Sequence, residues 1–134
     1  MENEERINAK VVCSPLKTTR LCRYKSLTYK TLEGTDIIPD IYTFDNPIFP
    51  LFAKDDAGQG GRNARVINNR IELNDLRKEN IEYVLCEYLP GDEITIDCFT
   101  YRHGTVRFIQ PRTRARLLNG ISARSENIEI TEEI

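Results

Sequence analysis

The distribution of hydrophobic and polar residues predicts a strand and a helical region at the start of the chain. Residues 7–13 alternate weakly between polar and apolar types and predict a short strand. An imperfect helical period over 15–32 predicts a helix in one or two segments, with Ser14 as its N-cap and Gly34 at its end. Residues 35–42 are expected to form an extended connector, because a residue that precedes proline is pushed toward extended geometry.

A lysine and a glycine-rich loop follow the next apolar run. After a turn at 45–47, the apolar residues 48–53 predict a strand that carries Lys54 to the loop. The short apolar segment 64–67 predicts a returning strand. The glycine-rich segment is therefore expected to join two antiparallel strands.

The second half of the chain predicts one helix and then several strands. The helix is expected from about residue 71 or 74 to 79. The apolar strand 81–89 leads to a tight turn at 90–92. Residues 93–101 then alternate cleanly, so one face of this strand should be buried and the other polar.

The remaining pattern completes an α+β order. Residues 102–105 should turn the chain, and 106–110 should return as another strand. Charged residues occupy every second position in much of 111–119, and Asn119-Gly120 predicts a turn. We expect an antiparallel meander after Ile81, which excludes a doubly wound fold of alternating parallel strands and helices.

Composition limits the classes of protein that the chain can belong to. Its 134 residues fit one or at most two small domains, with 40% hydrophobic and 30% charged residues as in ordinary soluble proteins. No window approaches the roughly 18 apolar residues that a membrane span needs. The acidic start lacks the apolar region of a secretory signal, so we expect a cytoplasmic protein without a membrane partner.

Cysteine and histidine usage argues against zinc. The four cysteines, Cys13, Cys22, Cys86 and Cys98, are scattered, and His103 is the single histidine. Structural metal sites need closely spaced pairs of such residues. We expect Cys86 and Cys98, which lie in apolar runs, to be buried structural thiols, although a disulfide is an alternative. His103 precedes Gly104 and is expected to be a turn residue.

Charge is segregated although the net charge is only −2. Arginines crowd positions 112–124, and glutamates follow at 126–133. This pattern is not typical of a general nucleic-acid surface, so we expect no nucleic-acid partner. A local anion site is compatible with it.

The glycine-rich segment has the chemistry of a phosphate-covering loop. Lys54 leaves an apolar strand, and Gly58, Gly60 and Gly61 would let backbone N–H groups approach a small anion. A plain hairpin turn that needs glycine for its φ angles is the alternative. The segment is not a Walker A motif, because its lysine precedes the glycines.

Separated blocks of the chain carry a resemblance to a known family. The blocks are LCRYKSLTYK (21–30), IPDIY (38–42), Lys54 with its glycine loop, CEYLPGDEITID (86–97) and PRTRARLLNGIS (111–122). In the same order, over about residues 7–124, they resemble the ATP-grasp superfamily, and in particular proteins similar to the carbamoyl phosphate synthetase large subunit.

The resemblance implies a fold and a division of the chain. The expected fold is a partial ATP-grasp module, an antiparallel sheet with flanking helices and a glycine-rich lid hairpin. Residues 1–46 would form a strand, helix and connector, 47–89 the nucleotide lid subdomain, and 90–134 the truncated start of the C-terminal lobe.

The resemblance also implies nucleotide-binding roles. Lys54 would contact the phosphates under the glycine loop, with Lys25 as a second phosphate contact. The backbone of 87–89 would hold the adenine edge, and the Glu93 carboxylate would bind the ribose hydroxyls. The full set of predicted cofactor-binding residues is Lys25, Lys54, Gly58, Gly60, Gly61, Glu87, Tyr88, Leu89 and Glu93. The alternatives are salt-bridged surface lysines and a solvated strand carboxylate.

The basic stretch is a candidate site for a substrate anion. Arg112, Arg114 and Arg116 would share one face if the chain is extended, and arginine suits bidentate binding of carboxylate or phosphate. In proteins similar to this one the region lies near the second substrate. A solvated basic face is the alternative.

The chain also departs from the ATP-grasp pattern. Asp55 replaces the usual proline after the lysine and would add negative charge beside the phosphates. Mg²⁺ ligands lie on later strands in the family, so we expect them outside this chain, which would be an internal piece of a larger enzyme or a truncated protein.

These observations lead to two functional hypotheses. The first is the ATP-binding part of a carboxylate–amine ligase that uses ATP and Mg²⁺ to form an acyl phosphate from a small carboxylate and pass it to an amine. We name no catalytic residue and expect no turnover from this chain alone. The second is a non-catalytic nucleotide-binding or interaction module, a degenerate or truncated ATP-grasp remnant. An unpaired sheet edge would favour a homodimer.

Overall fold

The computed structural model describes residues 8–9, 13–118 and 121–130. This part of the chain has an α+β fold of helices and antiparallel sheets, as the sequence predicts. It divides into two compact units. Unit 1 comprises the described residues up to Gln59 together with Asn63–Tyr88, and unit 2 comprises Gly60–Arg62 and the described residues from Leu89 onward.

Unit 1 begins with two short helices where the sequence predicts a helix in one or two segments. Helix α1 spans Leu16–Arg23 and helix α2 spans Lys25–Thr31, with Tyr24 in an extended conformation between them. Gly34 has a φ of 82°, a left-handed conformation that suits glycine after a helix. The strand predicted over 7–13 falls mainly on residues outside the described ranges.

The predicted N-cap of the first helix was wrong. Pro15 occupies the N-cap position of α1, and no side chain caps the helix. The reason is that the helix begins at Leu16, one residue later than expected, which places Ser14 outside the turn whose N–H groups it would have capped.

Four antiparallel strands form the sheet of unit 1. Strand β1 spans Ile41–Tyr42, β2 Leu51–Asp55, β3 Arg65–Ile67 and β4 Tyr83–Glu87, in the order β1-β4-β2-β3. β2 and β3 pair antiparallel from Leu51↔Ile67 to Ala53↔Arg65, which confirms the predicted hairpin around the glycines. We call its connecting residues 57–63 the glycine loop. The predicted connector 35–42 ends in β1, which pairs with β4 through Ile41↔Cys86.

Helix α3, Arg70–Arg77, covers one face of this sheet. It begins at Asn69, whose side-chain oxygen accepts hydrogen bonds from the N–H groups of Ile71 and Glu72, each at 3.0 Å. The helix buries its leucines against alternate residues of the central strands. The buried cluster is Leu51, Ala53, Ile67, Leu73, Leu76 and Leu85.

Unit 2 is built from strand pairs. Strand β5 spans Ile94–Thr100 and pairs with β6, Val106–Thr113, around the turn Arg102–Gly104. His103 has a φ of 69° in this turn, which confirms it as a turn residue. Strands β7, Arg116–Leu118, and β8, Ile121–Arg124, form a second pair. The turn predicted at Asn119-Gly120 between them lies outside the described residues.

Three predictions for the second half of the chain were wrong. β4 pairs with β1 and β2, whereas β5 pairs with β6, so the strands after Ile81 do not form one meander. β5 also lacks a buried face, because both Ile96 and Phe99 are largely exposed although they lie on opposite faces. Cys98 is exposed with them, while Cys86 is buried as expected; all four cysteines are free.

Candidate functional site

Lys54 lies near the end of β2, on the sheet face opposite the leucine core. Its neighbours Ala53 and Leu51 are buried in that core, and side chains alternate along a strand, so Lys54 and Phe52 project to the other face. The Lys54 ammonium donates a hydrogen bond to the Tyr29 hydroxyl of α2 at 3.1 Å. It also lies 5.7 Å from the centre of the Tyr29 ring and 5.6 Å from that of Phe52.

The surroundings of Lys54 keep it protonated. Its partial burial alone would lower the pKa of the ammonium, but the Tyr29 hydrogen bond and the nearby Cys86 and Tyr29 groups together raise it. Burial raises the pKa of the Cys86 thiol, although the positive charge of Lys54 opposes this. Among the described residues no carboxylate lies within ion-pair distance of Lys54. Lys54 is therefore a half-buried cation with neutral partners.

Asp55 organises the glycine loop. One of its carboxylate oxygens accepts a hydrogen bond from the Ala57 N–H at 3.1 Å, and the other accepts one from the Asn63 side-chain amide at 3.2 Å. The sequence suggested only a negative charge beside the phosphates, although an aspartate two residues before a turn N–H is a recognisable turn signal. Its carboxylate ties the start of the loop to Asn63.

Gly58 is held close to the same aspartate. Its N–H donates to the Asp55 carbonyl at 3.2 Å. A Cβ atom at this position would lie 2.7 Å from the Asp55 Cβ, which is closer than real side chains approach. Gly58 is thus required by the local packing. Gly60 and Gly61 have φ values of 64° and 70°, which glycine adopts without strain, and they group with unit 2.

Lys25 bonds to backbone carbonyls at the start of the glycine loop. Its ammonium donates to the carbonyls of Asp55 at 2.7 Å, Asp56 at 3.2 Å and Gly58 at 3.0 Å. A lysine ammonium has three donors, so all of them are used. The structure thus brings Lys25 to the segment that follows Lys54.

Asp56 is a further site residue that the sequence did not single out. It is 7% exposed, and its carboxylate accepts hydrogen bonds from the Ser26 N–H at 2.7 Å and the Ser26 hydroxyl at 2.9 Å. A buried carboxylate needs such partners to remain favourable. Because Asp56 and Ser26 are 30 positions apart, no local sequence signal could have paired them.

The predicted adenine-binding residues follow strand β4. The Glu87 N–H donates to the Asp40 carbonyl at 2.8 Å, beside the β1–β4 pair. Tyr88 and Leu89 come after the last residue of the strand, and their side chains are exposed. The boundary between the two units falls between them.

The predicted ribose and substrate residues of unit 2 form ion pairs. Glu93 pairs with Arg114, and Arg112 pairs with Asp97 at 2.6 Å and donates to the Ser125 hydroxyl at 2.9 Å. The Asp97 hydrogen bond raises the pKa of Arg112, against the opposing effect of burial.

The three predicted arginines do not lie on one strand. β6 ends at Thr113, before Arg114, and Arg116 begins β7, which belongs to a different strand pair. The hydrogen-bonded strand that contains Arg112 therefore ends before Arg114, and Arg116 belongs to another strand pair.

A cleft of about 680 Å³ lies in unit 1 between α2 and the β1–β4 edge of the sheet. Its lining includes Tyr29, Ile41 and Val84 together with the carboxylates of Glu33 and Asp40. Tyr29 both lines the cleft and accepts the hydrogen bond from Lys54. The cleft and the Lys54 ammonium are therefore both adjacent to Tyr29.

Within the described ranges, no three His, Cys, Asp or Glu residues lie close enough together to hold a metal ion. In the same part of the chain, none of the helices has the length and apolar character needed to cross a bilayer.

Comparisons with protein-family models and with curated proteins find no match for this chain. The geometry around Lys54 and the resemblance of the sequence motifs to the ATP-grasp superfamily are what bear on function.

Proposed function

We propose that the chain is the ATP-binding part of an ATP-grasp protein similar to carboxylate–amine ligases. The observation that carries the proposal is Lys54, a half-buried cation directly before a glycine loop, whose described partners are all neutral. A cation held in this way lacks a competing carboxylate and so keeps its charge available for an anion.

The strand and the aromatic groups around Lys54 support this role. β2 is paired on both sides, by β3 and β4, so the backbone that carries Lys54 is held in the centre of the sheet. The Tyr29 hydroxyl accepts one of the three ammonium hydrogens, and the Cys86 thiol interacts with the same ammonium. At least one donor therefore remains for a phosphate oxygen.

The geometry around the glycine loop supports a phosphate ligand as well. Gly58 has no side chain that could shield the loop backbone, and the place of its Cβ atom is filled by the Asp55 side chain. The Asp55 carboxylate, which would repel phosphate if it were free, accepts hydrogen bonds from Ala57 and Asn63. These hydrogen bonds partly offset the negative charge of Asp55, which would otherwise weaken the binding of an anion.

In the proposed protein, ATP and Mg²⁺ supply the acyl phosphate chemistry, and this chain contributes positioning and charge. Lys54 would contact the phosphates, and the backbone of Glu87, Tyr88 and Leu89 would hold the adenine edge. Glu93, whose carboxylate pairs with Arg114, would bind the ribose hydroxyls. The proposal takes the metal ligands from outside this chain, and it places the protein in the cytoplasm.

A non-catalytic interaction module is the second candidate, and one observation favours it. The β5–β6 pair exposes many apolar side chains, an unusual concentration for a free surface. These residues are Ile94, Ile96, Phe99, Tyr101, Val106, Phe108 and Ile109. This candidate predicts that nucleotide has no effect on stability.

The experiment is a thermal unfolding titration with MgATP on the unchanged chain and on Lys54→Met, which keeps the aliphatic stem and removes the charge. A ligand at 100 times its dissociation constant contributes about 2.7 kcal/mol to the stability of the folded state, so ATP should raise the melting temperature of the unchanged chain. In Lys54→Met the same shift should need about tenfold more ATP, because a charge-assisted contact to phosphate is lost.

Lys78→Met is the matched control, because the exposed Lys78 pairs with Asp75 on α3. It should respond to ATP as the unchanged chain does. No response in any of the three proteins would contradict nucleotide binding by this chain and favour the interaction module. An equal response in all three would show that ATP binds elsewhere than at Lys54.

A further inference from the structure

The contacts of Lys25 differ in kind from those of Lys54. In the described part of the chain Lys54 interacts with the side chains of Tyr29 and Cys86, whereas Lys25 gives each of its three donors to a backbone carbonyl at or just before the start of the glycine loop. Three converging carbonyl oxygens create a negative potential, which a cation neutralises. Without the ammonium, these part-buried oxygens would lose their shared partner.

The first turn of α2 reinforces this contact. The Lys25 N–H donates to the Asp56 carbonyl at 3.2 Å, and the next residue, Ser26, donates both its N–H and its hydroxyl to the Asp56 carboxylate. The Asp56 N–H in turn donates to the Glu82 carbonyl at 2.8 Å. The start of the loop is thereby tied to α2 on one side and to the residues before β4 on the other.

The direction of the carbonyls determines where the loop amides point. In a trans peptide the C=O and the following N–H are antiparallel. Because the Gly58 carbonyl is directed at Lys25, the N–H of Gln59 is directed away from it. In the described part of the chain this N–H has no acceptor, which leaves it as a donor for an anion.

We propose that Lys25 is a positioning residue that sets the orientation of residues 55–59, which lead into the glycine loop, through their carbonyls, and that it does not contact phosphate. The benefit for a phosphate ligand rests on the proposed function, but the positioning itself does not. This role differs from the phosphate contact that the resemblance implies for Lys25.

The test measures hydrogen exchange of the Ala57 and Gly58 amides without nucleotide, and then the dissociation constant for MgATP. In Lys25→Met, exchange at both amides should become about tenfold faster, because the hydrogen bonds that hold the local backbone are lost. Exchange in strand β4 should stay unchanged, which would separate a local effect from loss of the fold.

Three further variants distinguish positioning from direct contact. Lys25→Gln keeps a neutral donor that can reach carbonyls, so it should restore part of the protection. Ser26→Ala removes the neutral hydroxyl that donates to the Asp56 carboxylate, and it should also make exchange at the two amides faster. Lys17→Met, on the exposed helix α1, should change neither quantity.

The affinity for MgATP should fall in the variants in which hydrogen exchange at the start of the glycine loop becomes faster. Lys25→Met and Ser26→Ala should both weaken MgATP binding, and Lys25→Gln should bind more tightly than Lys25→Met. Unchanged hydrogen exchange of the Ala57 and Gly58 amides in Lys25→Met would overturn the proposal. If exchange is unchanged but MgATP binds more weakly, Lys25 contacts phosphate directly. If the unchanged chain binds no ATP, the proposed function fails, while the exchange measurement still decides whether Lys25 positions the loop.

Discussion

Several charged residues of this chain form hydrogen bonds with backbone groups instead of ion pairs with one another. Asp55 and Asp56 accept hydrogen bonds from main-chain N–H groups, and Lys25 donates to main-chain carbonyls. A charge-assisted hydrogen bond to backbone is stronger than a neutral one and restricts the loop that contains it. Amino-acid composition does not distinguish these residues from ordinary surface charges. Their hydrogen-bond partners in the structure identify their role.

Glu72 is a further example, at the first turn of α3. One of its carboxylate oxygens accepts the Asn68 N–H at 2.8 Å, and the other accepts the Asn69 side-chain amide at 2.7 Å, while Asn69 caps the helix that includes Glu72. The arrangement is a reciprocal cap. The Asn68 backbone hydrogen bond is the main cause that lowers the pKa of Glu72, against a smaller opposing effect of burial.

The stability contributed by Glu72 should therefore depend on pH. Because its pKa is lower in the folded state, the ionised carboxylate stabilises the fold at neutral pH, and this contribution is lost as the pH falls through the folded-state pKa. Glu72→Gln should lower the free energy of unfolding in urea at neutral pH. The difference from the unchanged chain should shrink in acid, below the ordinary pKa of glutamate.

Glu33→Gln is a suitable comparison, because Glu33 is exposed and accepts no hydrogen bond from the described residues. It should leave the free energy of unfolding at neutral pH unchanged. A Glu72→Gln difference that stays the same from neutral to strongly acidic pH would argue against the cap.

At the scale of the element, α3 shows how much of the chain a local pattern determines. Its exposed and buried positions follow the helical period, with Leu73 and Leu76 on the sheet and Ile71 in solvent. The sequence predicted this helix to within a few residues. It did not predict which sheet face the helix would cover, because that depends on strand order.

Shortening single side chains of α3 should reveal this packing. Leu76 is 1% exposed, so Leu76→Ala should lower the free energy of unfolding by about 2–5 kcal/mol, through lost burial and the cavity that remains. Ile71 is 75% exposed, so Ile71→Ala should change it by no more than about 0.5 kcal/mol. Urea denaturation measures both values. Equal losses in the two variants would contradict the orientation of α3.

At the scale of the whole molecule, burial is distributed unevenly between the two units. The leucine cluster and the buried Cys86 belong to unit 1, whereas the apolar side chains of β5 and β6 in unit 2 are largely exposed. Resistance to local opening follows the number of buried apolar contacts. The two units should therefore differ in local stability.

Hydrogen exchange across the whole chain tests this difference. Amides of β2 and β4 should be the slowest to exchange, and amides of β5 and β6 should exchange faster by local opening. Equal protection in both units would show that the β5–β6 pair is covered in solution.

The sequence by itself determined the local features of this protein. Helical periods located α2 and α3, an apolar run located β2, and alternation located β5, because each pattern depends on residues a few positions apart. The turn at His103 and the hairpin around Lys54 follow from glycine and turn residues in the same way. The lysine and its loop were identified as an anion-binding candidate from these features alone.

Only the tertiary structure decided which elements and side chains meet. It assigned β4 to the sheet of β2, left both faces of β5 exposed, and brought Lys25 to carbonyls 30 to 33 positions away. It also moved Arg116 to a different strand pair from Arg112. Such contacts depend on how distant segments pack, and no periodicity within a short window carries that information.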